Sequence, residues 1–412
     1  MLPNTTRQES DYSLVVRQGH YGNSPCGLAG KLDNVRRYWE NQLTRLYLAP
    51  GLKRLVNRAR SEGRGLRIVD LGCGAGEGWD LLTGIPHPDD EARPLLAPED
   101  IETYLGLDLC PDMVQTARVR FSRQPRARFR QADLRQPHEL SGPFDLYFSS
   151  YGSPSHLEDQ ELASLLRQLA STAPTGSLVV LDLLGQYSLE WPGLWGYSRE
   201  PGRPRMQPYN MLWLYPEEER ATRRQEFADY RIRYWGGGEL RSFLAGLPMA
   251  PRIRHLDLFD RSIFVGRHLD TGEFSPTPLP IRRGVNGLFE FNHFTRARDL
   301  AVPPIPDRPG TVCAFLRSYR RLWNHLVEVF ELLCQGAPEE EVLRCASGLD
   351  LPSRLADALE TLIQHARSMD WRMAPIRNSL QPQFGFLLRQ TEYSLQRGLG
   401  CGHGLLAILE LS

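Results

Sequence analysis

Arg67-Ile-Val-Asp-Leu-Gly-Cys-Gly-Ala-Gly-Glu-Gly78 is the stretch that decides the fold. Ile68, Val69 and Leu71 make the short apolar run of a buried strand, and Asp70 stands at its carboxyl end. Gly72, Gly74 and Gly76 then permit a sharp turn with no side chain between backbone and ligand. Open α/β sheets bind nucleotides at that place, beyond the carboxyl ends of the strands. A phosphate cradle wants bare backbone donors and a lysine, whereas here an acid leads the turn and no lysine follows. A carboxylate repels phosphate and suits a cationic ligand.

Three further strand ends follow in order. Glu102-Thr-Tyr-Leu-Gly-Leu-Asp-Leu109 reads as a second strand ending in Asp108, and Cys110-Pro-Asp-Met-Val opens a helix after it. Ala127-Arg-Phe-Arg-Gln-Ala-Asp-Leu134 reads as a third strand with Asp133 at its end. Phe144-Asp-Leu-Tyr-Phe-Ser-Ser150 is the fourth, running into Tyr151-Gly-Ser-Pro-Ser-His-Leu157. The set resembles the ordered motifs of the class I S-adenosylmethionine (SAM) methyltransferases, and the opening stretch is similar to their first motif. The resemblance implies an α/β, Rossmann-like seven-stranded core with S-adenosyl-L-methionine as cofactor. It places Asp70, Gly72, Cys73, Gly74 and Gly76 in the cofactor turn, and Asp108 with Leu109 at the ribose, where a carboxylate can accept from two hydroxyls at once. Asp133 and Leu134 fall at the adenine, and Ser149 at the end of the fourth strand.

Two features depart from the pattern. Residues 84–100 exceed what one helix and one strand require, and their prolines and acids read as a surface loop. The segment after the fourth strand lacks the Asn or Asp followed by Pro-Pro and an aromatic residue that serves the branches methylating planar amines.

Methyl transfer from a sulfonium is an in-line displacement with an activated leaving group. The protein supplies position, desolvation and, for an alcohol or phenol, a base. His156, six residues past the fourth strand, is the candidate base; the alternative is that it only opens or packs the next helix. Tyr151 and Glu190 are candidates for substrate contact. No spacing in the sequence resembles a metal-binding cluster.

Charge is balanced, 49 basic against 49 acidic residues, so no global field draws the chain toward nucleic acid or anionic lipid. Seven arginines crowd residues 118–135, which reads as a solvated face or, alternatively, a nucleic-acid contact. Seven cysteines show no CxxC pair, and no stretch approaches the length of a membrane span. These features predict a cytoplasmic enzyme with no nucleic-acid or membrane partner.

Around the core, residues 1–45 read as an N-terminal lid segment, its Tyr12, Tyr21, Tyr38 and Trp39 either closing the pocket or packing a helix. Helices are expected at 32–43 and 52–60. The methyltransferase domain is expected over 46–269, with a helix over 157–173, a fifth strand at 177–184, and strands six and seven at 252–259 and 262–268. Within it the aromatic-rich 187–235 is expected to form an antiparallel lid insertion, with strands at 209–215 and 226–235. Residues 270–310 read as a connecting segment, and 311–412 as an α-helical C-terminal domain carrying apolar residues at three- and four-residue spacing. The glycine-rich Gly398–Gly404 follows no strand and reads as a helix-ending turn.

The expected reaction is methyl transfer from SAM to an O, N or S atom of a small-molecule acceptor by a monomer or homodimer, possible within a biosynthetic pathway. Two other readings stay open: a methyltransferase acting on RNA, DNA or protein, and a non-catalytic SAM-binding scaffold.

Overall fold

The computed structural model describes residues 4–21, 32–136, 140, 142–196, 206–271, 274, 277–306, 310–369 and 375–412, with side chains from Asp11 onward. Helix α1 (Asn4–Arg17) comes first; a π-helical turn at Arg36–Glu40 then runs into α2 (Asn41–Ser61). The two helices expected at 32–43 and 52–60 are therefore one continuous rod. Leu43, Tyr47, Leu48, Leu52, Leu55 and Val56 give it a single buried stripe at helical spacing.

Next come β1 (Leu66–Leu71), α3 (Glu77–Thr83), a small hairpin of β2 (Pro86–His87) and β3 (Asp90–Pro94), and β4 (Ile101–Asp108). The hairpin is what the extra segment after α3 folds into. Then follow α4 (Pro111–Arg120), β5 (Ala127–Gln131), β6 (Leu146–Phe148), α5 (Asp159–Thr172) and β7 (Leu178–Gly185). The insertion supplies β8 (Met206–Tyr209), α6 (Glu217–Arg223) and β9 (Tyr230–Trp235), before α7 (Gly237–Ala245) and β10 (Ile253–Arg261). Helices α8 (Ile281–Leu288), α9 (Thr311–Gln335), α10 (Glu339–Ser347), α11 (Ser353–Ser368) and α12 (Ile376–Leu395) precede the last strand, β11 (Gly404–Leu411).

The main sheet runs β10-β11-β7-β6-β1-β4-β5. The pairs from β7 to β5 are parallel, and β11 lies antiparallel to both neighbours. This is a Rossmann-like sheet whose parallel strands all end on one edge, at Leu71, Asp108, Gln131, Phe148 and Gly185. Strand β9 joins β7 only at its tip, through Leu184↔Tyr234 and Gly185↔Trp235, and pairs antiparallel with β8. The flap thus rises from the same edge. The strand expected at 209–215 lies instead at Met206–Tyr209, and that expected at 226–235 begins at Tyr230; after β8 the Asn210 side chain accepts the Leu212 N–H at 3.0 Å and turns the chain.

The seventh strand is the main correction. Residues 262–268 are buried but form no strand: Ser262 and Ile263 donate their N–H groups to the Glu392 carboxylate of α12, at 2.6 and 3.0 Å. The seat beside β7 belongs to β11, at the far end of the chain, whose Leu405, Leu406, Leu409 and Leu411 are fully buried. The sheet does not close at Leu269; residues 262–403 are an insertion between its last two strands. Sequence periodicity cannot see this, since both runs are apolar and short.

Two cores clamp the sheet. On one face α5 and α7 bring Leu162, Leu166, Leu240 and Leu244 against Val179, Leu181, Leu405 and Leu409. On the other, α2 and the inserted helices share one cluster, in which Trp39 meets Trp323 at 5.9 Å and Phe264 stacks on Tyr319 at 4.9 Å. The helical region is therefore packed into the body of the molecule. The run Gly398–Gly404 wraps a carboxylate of its own chain: Asp260 accepts the N–H groups of Leu399, Gly400 and Cys401 at 2.8, 2.7 and 2.9 Å.

Candidate active site

Two adjoining cavities open at the carboxyl edge of the sheet. The first, about 900 Å³ including its mouth, is lined by Gly72, Cys73, Gly74, Asp108, Leu109, Asp133 and Leu134 from three strand ends. Gly72 has φ +76°, and a Cβ there would overlap the side chain of Ser153, so the turn can hug the cavity only as glycine. Asp108 braces the turn: its carboxylate accepts Gly74 N–H at 2.8 Å and Cys110 N–H at 2.9 Å. Asp108 also lines the cavity. Asp133 accepts both the backbone N–H and the Nε of Arg135, at 3.0 and 2.7 Å, which fixes the far wall.

Three expected cofactor residues do not line this cavity. Asp70 sits beneath the turn, fully buried, its Oδ2 accepting from Tyr104 Oη at 2.5 Å. Burial pushes its pKa up to about 7, and the nearby carboxylates of Glu77 and Asp108 add to the rise. Gly76 lies against Phe121 and Phe129, and Ser149 is fully buried one position short, leaving Ser150 at the wall. The carboxylate that does reach the cavity from the turn is Glu77, at the start of α3. Asp70 lies within β1 beneath the glycine turn, whereas Glu77 stands beyond that turn in the first turn of α3.

The second cavity, about 620 Å³ including the open space at its mouth, shares Tyr12, Arg36, Tyr151 and His156 with the first and continues under the flap to Leu184, Tyr209, Met211, Trp213 and Ile232. Arg261, Arg267, Glu40 and His403 form its polar side. His156 lies at the junction, with Tyr12 Oη 3.3 Å from its Nε2 and the Tyr230 ring 5.4 Å away. Tyr151 also lines both cavities and has φ +59°, an unfavourable conformation for a bulky side chain. It is held there by Asp182, which accepts its N–H at 2.6 Å, and by Asn41, which accepts its hydroxyl at 3.0 Å. Such strain persists where surrounding contacts over-determine the residue, and it marks functional sites.

Arg36 was not singled out from sequence. It is 4% exposed, its guanidinium lies 3.6 Å over the Tyr151 ring, and no carboxylate lies within 4.0 Å of it among the described residues. The π-helical turn that presents it is anchored by the insertion. Arg282 of α8 clasps Asp33 at 2.6 and 2.7 Å and Glu40 at 2.9 Å, and Asn286 Oδ1 accepts the Val35 N–H at 2.6 Å. Burial alone would raise the Glu40 pKa, but the guanidinium groups of Arg282, Arg267 and Arg261 hold it well below the carboxylate range. The N-terminal aromatics divide between their two expected roles. Tyr12 and Tyr21 line the first cavity, while Trp39 is core and Tyr38 stacks on Phe289 at 5.1 Å. Glu190 does not line either cavity; it is fully buried behind His403.

The arginines of 118–135 are largely engaged internally. Arg118 donates to the Phe129 carbonyl at 3.0 Å, Arg126 to the Ile101 carbonyl at 2.6 Å, and Arg120 pairs with Asp80. No helix among the described residues is long and apolar enough to cross a membrane.

Residues 92–176 match the family model described as "Methyltransferase domain". The sheet order is that of a Rossmann-like α/β domain, and the matched stretch, well under half of the chain, resembles a methyltransferase domain. No match was found among curated proteins. Among solved structures, magnesium protoporphyrin IX methyltransferase from Synechocystis PCC 6803 with bound SAH is 17% identical, with TM-score 0.34, covering 61% of this chain and 91% of that one. CalS10, an amino pentose methyltransferase from Micromonospora echinaspora, is 20% identical with TM-score 0.25, covering 42% and 55%. The DhpI-SAM-HEP complex is 14% identical with TM-score 0.36, covering 62% and 91%. Identities this low, with TM-scores below 0.5, say nothing of this chain's acceptor.

Proposed function

We propose that the protein transfers the SAM methyl group to a small molecule held in the second cavity. The observation that carries this reading is the junction: Tyr12, Arg36, Tyr151 and His156 belong to both cavities at once. A sulfonium at that junction faces the rings of Tyr12 and Tyr151, which attract a cation. Aromatic and aliphatic side chains wall one side of the chamber, and Arg36, Arg261, Arg267, Glu40 and His403 the other. In this reading Asp108 holds the ribose, Asp133 the adenine amine, and Arg36 the methionyl carboxylate of the cofactor. His156 takes the acceptor's proton where the acceptor is an alcohol, phenol or protonated amine, and Tyr151 shapes the approach of the nucleophile.

The test is transfer of label from methyl-labelled SAM to members of a small-molecule panel, compared with bulk RNA and protein. His156→Gln is expected to lower turnover about 10²–10⁴-fold while leaving SAH affinity within a few-fold. Labelling confined to RNA or protein, or unchanged turnover in His156→Gln, would contradict it.

A further inference from the structure

Beside the acceptor chamber, three side chains from distant parts of the chain meet. Glu190 follows β7, His268 follows β10, and His403 precedes β11, and one donor atom from each lies within 4.8 Å of the others. Glu190 and His268 are buried, whereas His403 forms part of the chamber wall. His403 Nδ1 stands 2.9 and 3.2 Å from the two Glu190 oxygens. Ser188 Oγ donates to Glu190 at 2.9 Å, and the His268 backbone N–H donates to it at 2.5 Å.

His268 is the informative member. Its Nε2 meets Tyr209 Oη at 3.2 Å, while its Nδ1, buried and on the same ring, has no hydrogen-bond partner. A neutral imidazole that donates Nε2–H to Tyr209 carries its lone pair on Nδ1. That lone pair is buried in the cluster without a hydrogen-bond donor. Metal-bound histidines show this arrangement, one nitrogen on the ion and the other fixed by a hydrogen bond.

The geometry points to a binding site for one divalent d-block cation, of the zinc type, with Glu190, His268 and His403 as ligands and an open position toward the acceptor chamber. Two imidazoles and one carboxylate suit zinc, iron or cobalt, whereas magnesium and calcium want oxygen donors. The guanidinium groups of Arg267 and Arg282 oppose any cation here, which further selects ions that imidazole binds strongly. An acceptor bearing a hydroxyl or carboxylate can complete the coordination, and that consequence rests on the chamber being the acceptor site. The binding itself does not.

Calorimetric titration of the full-length protein with zinc sulfate tests the site, with SAH titrated in parallel. One equivalent of zinc is expected, weakened at least 100-fold in His268→Ala and about 10-fold in Tyr209→Phe, which removes only the supporting hydrogen bond. Cys345→Ser, in the half-exposed group His325, Glu328 and Cys345, is expected to leave zinc binding unchanged. Absence of zinc binding by protein that takes SAH normally overturns the proposal, as does equal binding by His268→Ala. Failure to bind SAH while zinc still binds tells instead against the proposed function.

Discussion

At the residue scale, the strand-end acids divide the work differently from their order in sequence. Asp108 and Asp133 were legible because each ends a strand and opens onto the cavity. Asp70 was legible as a position but not as a role, since its side chain turns under the glycine loop to Tyr104. Arg36 and His403 were not legible, because nothing in their local sequence says that the fold carries them to the sheet edge. Asp70 also yields a pH prediction. Its folded pKa of about 7 stands above the ordinary value of 3.8, so the folded state holds the proton more tightly than the unfolded chain. Stability from this group is therefore full below about pH 4 and is lost as pH rises toward 7, by on the order of 4 kcal/mol. Asp70→Asn is expected to flatten the dependence of melting temperature on pH between 4 and 7. An undiminished slope in the variant would place the titration elsewhere.

Among the elements, β11 has the largest consequence. The parallel strands and α5 were read correctly from apolar runs and helical spacing, because each is local. Partner choice between strands is not local: an apolar run at 262–268 and another at 405–411 compete for the seat beside β7. The first loses its ladder donors to Glu392, and the second keeps them. Four fully buried leucines of β11, at about 1.5–3 kcal/mol each, make a contribution comparable to the whole stability of a typical domain. Deletion of residues 404–412 is accordingly expected to abolish cooperative unfolding as followed by circular dichroism. Truncation after Leu269, which also removes β11, is expected to have the same effect. A shortened chain that still melts cooperatively near the full-length temperature would contradict the strand order.

On the scale of the whole molecule, the insertion between the last two strands ties the far side of the protein to the carboxyl edge of the sheet. Arg282 in α8 fixes Asp33 and Glu40, and these flank the π-helical turn that aims Arg36 at both cavities. Distant segments thus meet around one site: α1 brings Tyr12 to the strand-edge cavity, and the approach to β11 supplies His403 to the chamber behind it. The central claim is that the strand-edge cavity takes SAM with Asp108 on the ribose. Calorimetric titration of wild type and Asp108→Ala with SAM tests it most directly. The account predicts a single site in the wild type and a loss of about 1.5–3 kcal/mol in the variant, the range for hydrogen bonds to a charged group. Equal SAM affinity in the two proteins, with both still folded, would contradict it.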